Sequence, residues 1–264
     1  MTLALIAGAG ALPAALIAAL PERPLICALG DFDGADMPLR LERLVPTLRA
    51  LCDQGVTEVV FAGAVQRPRL DPALFDGATA QLVPRLIHAM QAGDDATLRE
   101  IIAIFEEFDL TIRAIPDLAP QLLPGAGVLA GAVTEQDQAD ATRAARIVAA
   151  LGAVDVGQGA CVAQGLCLAV ETLPGTDAML VSVAGLPAAL RPATARGRGL
   201  FYKAAKPGQD RRIDLPTIGP QTLELVSRAG LGGVAFQAGS VICLDVPQMV
   251  LDAERLGLFL WGRP

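Results

Sequence analysis

The chain begins with Thr2-Leu-Ala-Leu-Ile-Ala-Gly8-Ala-Gly10-Ala-Leu-Pro13, an uncharged run that contains two glycines and a proline. Leu3 to Ala7 is predicted to be a buried strand, because it is continuously apolar and ends at a glycine. Pro13 is typical of the first turn of a helix, which we expect to extend to Leu20. The glycines and Pro13 break the apolar run, so we expect no membrane-spanning helix here. We also expect no signal peptide, which would need basic residues before the run.

The same alternation of apolar runs and helical patterns continues to residue 114 and predicts a parallel sheet covered on both faces. Further strands are predicted at Leu25 to Leu29, Thr57 to Ala62 and Thr111 to Ala114, and helices at Pro46 to Gln54, Gln81 to Gln91 and Asp95 to Phe108. This arrangement predicts a Rossmann-like N-terminal domain. Its glycine turn is compatible with a phosphate contact or with a plain tight turn, because Pro13 replaces the third glycine of G-x-G-x-x-G.

Residues 118–133 lose their charges and become rich in proline and glycine, which predicts a linker and a boundary between domains 1–132 and 133–264. The second half predicts an α/β domain with a mixed sheet. Its helices are expected at Thr134 to Leu151, Gln221 to Arg228 and Pro247 to Leu256, and its strands at Ala160 to Ala163, Leu166 to Val170, Ala178 to Val183, Leu200 to Lys203, Gly233 to Phe236 and Ser240 to Leu244.

Composition excludes several classes of protein. A net charge of −7 argues against nucleic-acid binding, which usually needs a basic surface. His88 is the sole histidine, so a multi-histidine metal site is excluded. The five cysteines lack CxxC spacing and are interpreted as small apolar residues in a reducing compartment. The 53% hydrophobic content with only 4% aromatics indicates extensive aliphatic surface or core.

Charged side chains concentrate between Lys203 and Pro216, in a loop rich in proline and glycine. Asp210 and Asp214 are candidates to hold a hard divalent cation, while neighbouring lysines and arginines could neutralise phosphate oxygens. A solvated loop of compensating charges explains the same composition. Acidic residues also occur at Glu171 to Asp177, where a plain turn is the alternative, and at Gly93-Asp94-Asp95, where Asp94 is most simply a helix N-cap.

Several stretches together resemble the UDP-2,3-diacylglucosamine pyrophosphatase family of lipid A biosynthesis, in its LpxI form. The resemblance runs nearly end to end and rests on Ile6 to Pro13, Ala62 to Pro68, Gly93 to Asp95, Asp155 to Gly159, Glu171 to Ala178 and Lys203 to Gly219. One departure is Leu173-Pro174, where a further acidic residue is expected before the glycine.

The resemblance implies a Mg²⁺-dependent hydrolase that releases UMP and 2,3-diacylglucosamine 1-phosphate. It implies catalytic roles for Asp214, Asp210, Lys203 and Lys206, with Asp214 the most critical carboxylate. Metal ligands would come from Asp210, Asp214, Asp177 and Glu171. Substrate contacts would come from Gly8, Gly10, Arg67, Asp94, Asp95, Gln158, Thr176, Gln209 and Arg212.

Such a substrate leads to further expectations about location and partners. We expect a cytoplasmic protein that contacts the inner-membrane surface weakly, and a homodimer is a further expectation; no nucleic-acid partner is expected. Two alternatives from other classes stay open at this point. They are a Rossmann-type nucleotide-dependent oxidoreductase and a non-catalytic lipid-binding module, although the second leaves the charges of Lys203 to Asp214 unexplained.

Overall fold

A computed structural model describes residues 2–65, 71–191, 197–208 and 210–264. The chain forms two compact units. Unit 1 comprises Met1–Pro120 and Asp210–Asp214, and unit 2 comprises Gln121–Gln209 and Leu215–Pro264. The units therefore divide after Pro120, whereas composition placed the boundary at 132/133, and the short segment Asp210–Asp214 belongs with unit 1.

Unit 1 is built on a parallel five-stranded sheet of order β3-β2-β1-β4-β5, which matches the first five strands of the Rossmann order 3-2-1-4-5-6. The strands are β1 (Thr2–Ala7), β2 (Leu25–Ala28), β3 (Met37–Pro38), β4 (Val56–Ala62) and β5 (Thr111–Ile112). The helices are α1 (Leu12–Ala19), α2 (Leu44–Asp53), α3 (Gly77–Ala80), α4 (Val83–Ala92), α5 (Asp94–Glu106) and α6 (Ile115–Leu118). The expected parallel-sheet domain is confirmed.

The centre of this sheet is buried on both faces, which is why β1 is apolar at consecutive positions. Ala4, Leu5, Ile6 and Ala7 are at most 2% exposed. Ala4 and Ile6 pack with α2 and α5 residues such as Leu48 and Phe105 in the main core of unit 1. Burial of successive side chains is typical of a central parallel strand covered by helices on both sides.

The chain segments that follow β1 and β4 cross each other at backbone contact distance. The N–H of Gly8 donates to the carbonyl of Ala62 at 2.8 Å, and Ala9 and Ala64 exchange two hydrogen bonds of 2.8 and 2.9 Å. A Cβ at Gly8 would lie 2.6 Å from the Ala64 oxygen, and one at Gly63 would lie 2.7 Å from the Ala9 oxygen. Glycine is therefore required at both positions by the close approach of two backbones.

Unit 2 contains a mixed six-stranded sheet of order β6-β13-β11-β9-β7-β8 and a parallel pair, β10-β12. The strands are β6 (Gly127–Ala130), β7 (Gly159–Ala163), β8 (Leu166–Val170), β9 (Leu200–Lys203), β10 (Thr217–Ile218), β11 (Gly233–Gln237), β12 (Ile242–Cys243) and β13 (Phe259–Arg263). The helices are α7 (Glu135–Gly152), α8 (Gly175–Ala184), α9 (Pro220–Arg228) and α10 (Val246–Leu256). The expected mixed sheet is confirmed.

Side chains alternate between two cores along the strands of unit 2. Phe201 of β9 packs in the core that includes residues of α8, α9 and α10, while the neighbouring Tyr202 packs with α7. The start of α7 agrees with the helix expected from Thr134, and the Thr134 and Asp137 side chains form a reciprocal capping box there.

Three predictions for unit 2 were wrong at the level of single elements. Residues 178–183 form part of α8 and not a strand, because Met179, Leu180 and Val183 face the core with helical spacing. The predicted linker contains β6, which pairs antiparallel with β13 as an edge strand. The final strand β13 was missed, although it lies inside the sheet between β6 and β11.

None of the helices in the described part of the chain combines the length and the apolar character needed to cross a bilayer.

The crossing of Gly8 and Gly63 predicts a graded response to alanine. Gly8→Ala introduces a clash and Gly10→Ala introduces a side chain at φ +93° in open space, whereas Gly63→Ala combines a clash with φ +97°. We expect losses in the free energy of unfolding of about 1–3 kcal/mol for each of the first two variants and a larger loss for the third. These losses in the free energy of unfolding are measured by hydrogen exchange of the β1 and β4 amides in each variant. Equal protection in all three variants would contradict the assigned contact.

Candidate active site

The carboxyl ends of β8 and β9 lie on the same edge of the sheet in unit 2. Both strands pair antiparallel with β7, so they run in the same direction. Lys203 is the last residue of β9, and Glu171 directly follows β8. The sheet therefore brings a lysine and a glutamate together although they are 32 residues apart in sequence.

Lys203 and Glu171 form a buried ion pair. The Lys203 Nζ donates to Glu171 Oε1 at 2.9 Å and to Oε2 at 2.7 Å, and it also donates to the Thr176 hydroxyl at 2.7 Å. The Thr176 hydroxyl in turn donates to Glu171 Oε1 at 3.1 Å. The side chains of Lys203 and Glu171 are 5% and 11% exposed. An ammonium has three N–H donors, and these contacts give each of them an acceptor.

Gly157 and Gly159 make room for Glu171. A Cβ at Gly157 would lie 2.0 Å from the Glu171 carbonyl oxygen, and one at Gly159 would lie 2.8 Å from Oε2 and from the Phe201 ring. The N–H of Glu171 donates to the Gly159 carbonyl at 2.8 Å, which fixes the start of the turn. The spacing of the two glycines in Asp155-Val-Gly157-Gln158-Gly159 is therefore explained by the carboxylate that they surround.

A second cation lies in the loop after β9. The Lys206 Nζ donates to Asp155 Oδ1 at 2.6 Å, with the two side chains 17% and 44% exposed. The carbonyl of Gln158, a predicted substrate contact, accepts a 3.0 Å hydrogen bond from the Ala204 N–H. The segment 155–159 thus holds both the chain after β9 and the Lys206 side chain. Lys206 is more accessible than Lys203, so it is better suited to meet an anionic ligand.

The loop residues Asp210 and Arg212 are paired with each other in unit 1. Arg212 donates to Asp210 Oδ1 at 3.0 Å from Nε and to Oδ2 at 2.7 Å from Nη2, and its Nη1 donates to Glu106 Oε1 at 2.9 Å. These bonds from Arg212 hold the pKa of the Asp210 carboxyl below its usual range. Ile213 packs against the core of unit 1, and the Asp214 N–H donates to the Asp210 carbonyl at 3.3 Å.

The remaining predicted residues fall in different places. Asp177 lies in the first turn of α8, where its Oδ2 accepts from the Gln221 amide at 3.3 Å. Asp94 and Asp95 begin α5, and their side chains lie outside the description, as do residues Arg67 and Gln209. Gly8 has the packing role given above, and Gly10 is exposed.

Within the part of the chain that the structure describes, no group of three or more His, Cys, Asp or Glu side chains could hold a metal ion. Both Glu171 oxygens face Lys203 and both Asp210 oxygens face Arg212, which makes these carboxylates poor ligands as they stand. Mg²⁺ often binds through one or two carboxylates while substrate phosphates and water complete the octahedron. Asp214 lies in unit 1 and Asp177 in unit 2, and each would fit Mg²⁺ only where water and substrate phosphates supply the remaining oxygens.

Histidine and cysteine have no evident part in this chemistry. His88 is exposed on α4. All five cysteines are free; Cys27, Cys161 and Cys243 are buried as expected, whereas Cys52 and Cys167 are exposed. Burial raises the pKa of the Cys27 thiol to about 11 and that of Cys243 to about 12, so neither is a ready nucleophile.

Sequence reasoning named Lys203, Glu171 and Thr176 but missed that they bind one another. It also missed the function of Gly157 and Gly159 and the contact of Glu106 with Arg212. Two glycines separated by one residue at the start of a strand, as Gly157 and Gly159 are, indicate that another part of the chain packs closely against their backbone. The sequence does not identify that part, because Glu171 follows a different strand.

Comparison with known proteins covers most of both units. A family model described as the LpxI N-terminal domain matches residues 2–122, and one described as the LpxI C-terminal domain matches residues 125–261. The UDP-2,3-diacylglucosamine pyrophosphatase LpxI of Caulobacter vibrioides is 36% identical over 273 aligned positions, which cover 98% of this chain and 96% of that protein.

The buried ion pair predicts strongly non-additive mutations. Lys203→Met leaves the Glu171 carboxylate buried without its cation, and we expect it to lower the free energy of unfolding by about 3–5 kcal/mol. Glu171→Gln removes the negative charge that compensates the buried ammonium and should cost a similar amount. The double variant removes both charges and should recover most of the loss. The single tryptophan, Trp261, lies in β13 of the same sheet, so its fluorescence in urea is a suitable measurement. A loss in the double variant equal to the sum of the losses in Lys203→Met and Glu171→Gln would contradict the coupling of these two residues.

The Asp210–Arg212 contact predicts a pH dependence of stability. Because the folded-state pKa of Asp210 lies below the unfolded value of about 3.9, its contribution is present above that pH and is lost as the pH falls through the folded pKa. Arg212→Gln should remove this contribution at pH 6 and change little at pH 2. The difference in stability between the wild type and this variant is measured by thermal unfolding at a series of pH values from 2 to 6. Arg211→Gln, at an exposed neighbouring arginine, is the charge-matched control and should not reproduce the effect.

Proposed function

Because the chain belongs to the LpxI family, we propose that it hydrolyses the pyrophosphate of UDP-2,3-diacylglucosamine to UMP and 2,3-diacylglucosamine 1-phosphate, a step of lipid A biosynthesis. The observation that carries the proposal is the match to a pyrophosphatase of that name over 98% of the chain, with both family domains present in order. The oxidoreductase and the lipid-binding module gain no comparable support.

We propose that the pyrophosphate binds beside the turn from Glu171 to Thr176. This turn leads into the N-terminus of α8, where backbone N–H groups favour an anion, and Lys206 supplies a partly accessible cation. Lys203 acts by holding this turn through Glu171 and Thr176. The family resemblance implies Arg212 as a further cation for phosphoryl oxygens, and within unit 1 Asp210 orients its guanidinium.

In the reaction, a water oxygen forms a new bond to phosphorus as the bridging P–O bond breaks. Asp214 is the carboxylate that we propose to be most important for activating this water. Bound Mg²⁺, when present, supplies charge neutralisation on the pyrophosphate oxygens. Of the ligands that the resemblance implies, Asp214 and Asp177 would hold the ion, and the substrate would supply further oxygens.

Other expectations of location and assembly extend this proposal. Delivery of a diacylated substrate is compatible with weak contact to the cytoplasmic face of the inner membrane. This contact, the cytoplasmic location and the homodimer stay predictions.

The proposal is tested by incubating the full-length protein with UDP-2,3-diacylglucosamine and measuring UMP, with Mg²⁺ or with EDTA. We expect UMP release with Mg²⁺ and its loss in EDTA. Asp214→Asn should lower kcat by about 10²-fold or more, the usual size of a general-base contribution. Asp53→Asn, at an exposed aspartate on α2, is the control and should retain activity.

Each part of the proposal fails on a different result. Absence of UMP with Mg²⁺ would overturn the hydrolase activity, and unchanged turnover in EDTA would overturn the metal requirement. Full activity in both Asp214→Asn and Asp210→Asn would remove the assigned carboxylates while leaving the activity in place.

A further inference from the structure

Arg191 binds the backbone at the ends of two helices of unit 2. Its Nη2 donates to the carbonyls of Val183 and Ala184 at the end of α8, the second at 3.0 Å. Its Nη1 donates to the Ala229 carbonyl, directly after α9, at 2.7 Å, and its Nε donates to the Leu186 carbonyl at 3.3 Å. Carbonyls at the end of a helix need partners from outside it, and a guanidinium has donors in several fixed directions. One side chain therefore joins the C-terminal ends of α8 and α9.

The chain makes room for this guanidinium at Gly230, just past the end of α9. Gly230 has φ +69°, and a Cβ there would lie 2.8 Å from Arg191 Nη1. Gly257 after α10 has a similar φ of +62°, but its Cβ would meet none of the described atoms within 4 Å. The carbonyl of Gly257 also accepts a hydrogen bond from an arginine, Arg198, at 2.6 Å. The end of α10 is therefore a matched comparison for the end of α9.

α8 and α9 are also joined at their N-terminal ends, where the Gln221 amide donates to Asp177 Oδ2 at 3.3 Å. Because both pairs of ends are connected, the two helices lie side by side and run in the same direction. α8 has 10 residues, so it is about 15 Å long and moves as one element. The position of its C-terminal end therefore affects its first turn, where the Thr176 hydroxyl accepts from Lys203 at 2.7 Å.

We propose that Arg191 is a positioning residue for the hydrolysis, an inference that rests on the proposed function. Its bonds lie at the opposite end of α8 from the turn beside which the pyrophosphate is proposed to bind. It acts by fixing α8 against α9, which fixes the N–H groups of the first turn and the Thr176 hydroxyl. A displacement of reacting groups by about 1 Å can cost about 10²-fold in rate, so such a residue affects turnover from a distance.

The simpler role of Arg191 is a favourable charge at a helix C-terminus. Any cation stabilises that end of a helix, and a lysine would serve equally well. The positioning role differs, because bonds to two helices from three nitrogens need the planar guanidinium. Arg191→Lys keeps the charge and removes this geometry, so it separates the two roles.

The test measures UMP release from UDP-2,3-diacylglucosamine by full-length Arg191→Lys and Gly230→Ala, with Mg²⁺, at a temperature at which Trp261 fluorescence shows each variant to be folded. We expect kcat to fall about tenfold or more in both variants, because the scissile bond is misplaced. KM should change little, since the uridine and acyl groups still contribute their binding energy. Arg198→Lys and Gly257→Ala alter the end of α10 in the same ways and should keep the wild-type kcat.

The outcomes separate this proposal from the proposed function. A wild-type kcat in Arg191→Lys or in Gly230→Ala would overturn the positioning role while hydrolysis stands. An equal fall of kcat in the two α10 variants would also overturn it, because general loosening of the unit would then explain the effect. If the wild type released no UMP, the proposed function would fail. Calorimetric binding of inorganic pyrophosphate would then decide: a Kd about tenfold weaker in Arg191→Lys supports the positioning of α8, and an unchanged Kd overturns it.

Discussion

A buried lysine at the end of a strand is the constraint on which the candidate site depends. Removing an ammonium and a carboxylate from water costs several kcal/mol per ion, and this cost is recovered only if the geometry is good and every donor has an acceptor. Lys203 meets that condition through Glu171 and Thr176. Gly157 and Gly159 follow from it, because any larger residue would occupy the space of the Glu171 backbone or carboxylate. The Lys203–Glu171 ion pair thus explains the two glycines of Gly157-Gln158-Gly159 and the contact of Thr176, in the first turn of α8, with Lys203.

The same ion pair changes what Glu171 is expected to do. In sequence it is an acidic residue in a glycine turn, and a metal ligand is a natural interpretation. In the folded chain its two oxygens are used by a cation of the protein itself. Asp210 shows the same change, since Arg212 binds both of its oxygens. In both cases the carboxylate orients a basic side chain of the protein itself.

Much of the fold was predictable because buried parallel strands are continuous apolar runs, as in β1. The errors arose where local pattern and tertiary context disagree. The β-branched residues of 178–183 suggested a strand, but the core contacts of Leu180 and Val183 have helical spacing. The uncharged edge strand β6 looked like a linker, since only its pairing with β13 identifies it. Site partners separated by 32 residues, as Lys203 and Glu171 are, leave no local signal.

The N-terminal unit shows how one motif can have a structural cause. Gly8-Ala-Gly10 suggests a phosphate-binding turn, yet the crossing of Gly8 with Gly63 already explains the first glycine. The glycine is therefore not evidence for a dinucleotide cofactor, and the family match is the stronger guide to chemistry.

If Glu171 holds Lys203 and the pyrophosphate binds beside their turn, both contacts should be visible in a crystal structure of full-length Asp214→Asn with uncleaved UDP-2,3-diacylglucosamine and Mg²⁺. We predict an intact Lys203–Glu171 pair and a pyrophosphate oxygen about 2.8 Å from Lys206 Nζ, the usual length of a charge-assisted hydrogen bond. A Glu171 carboxylate that has left Lys203 to bind Mg²⁺ would contradict it.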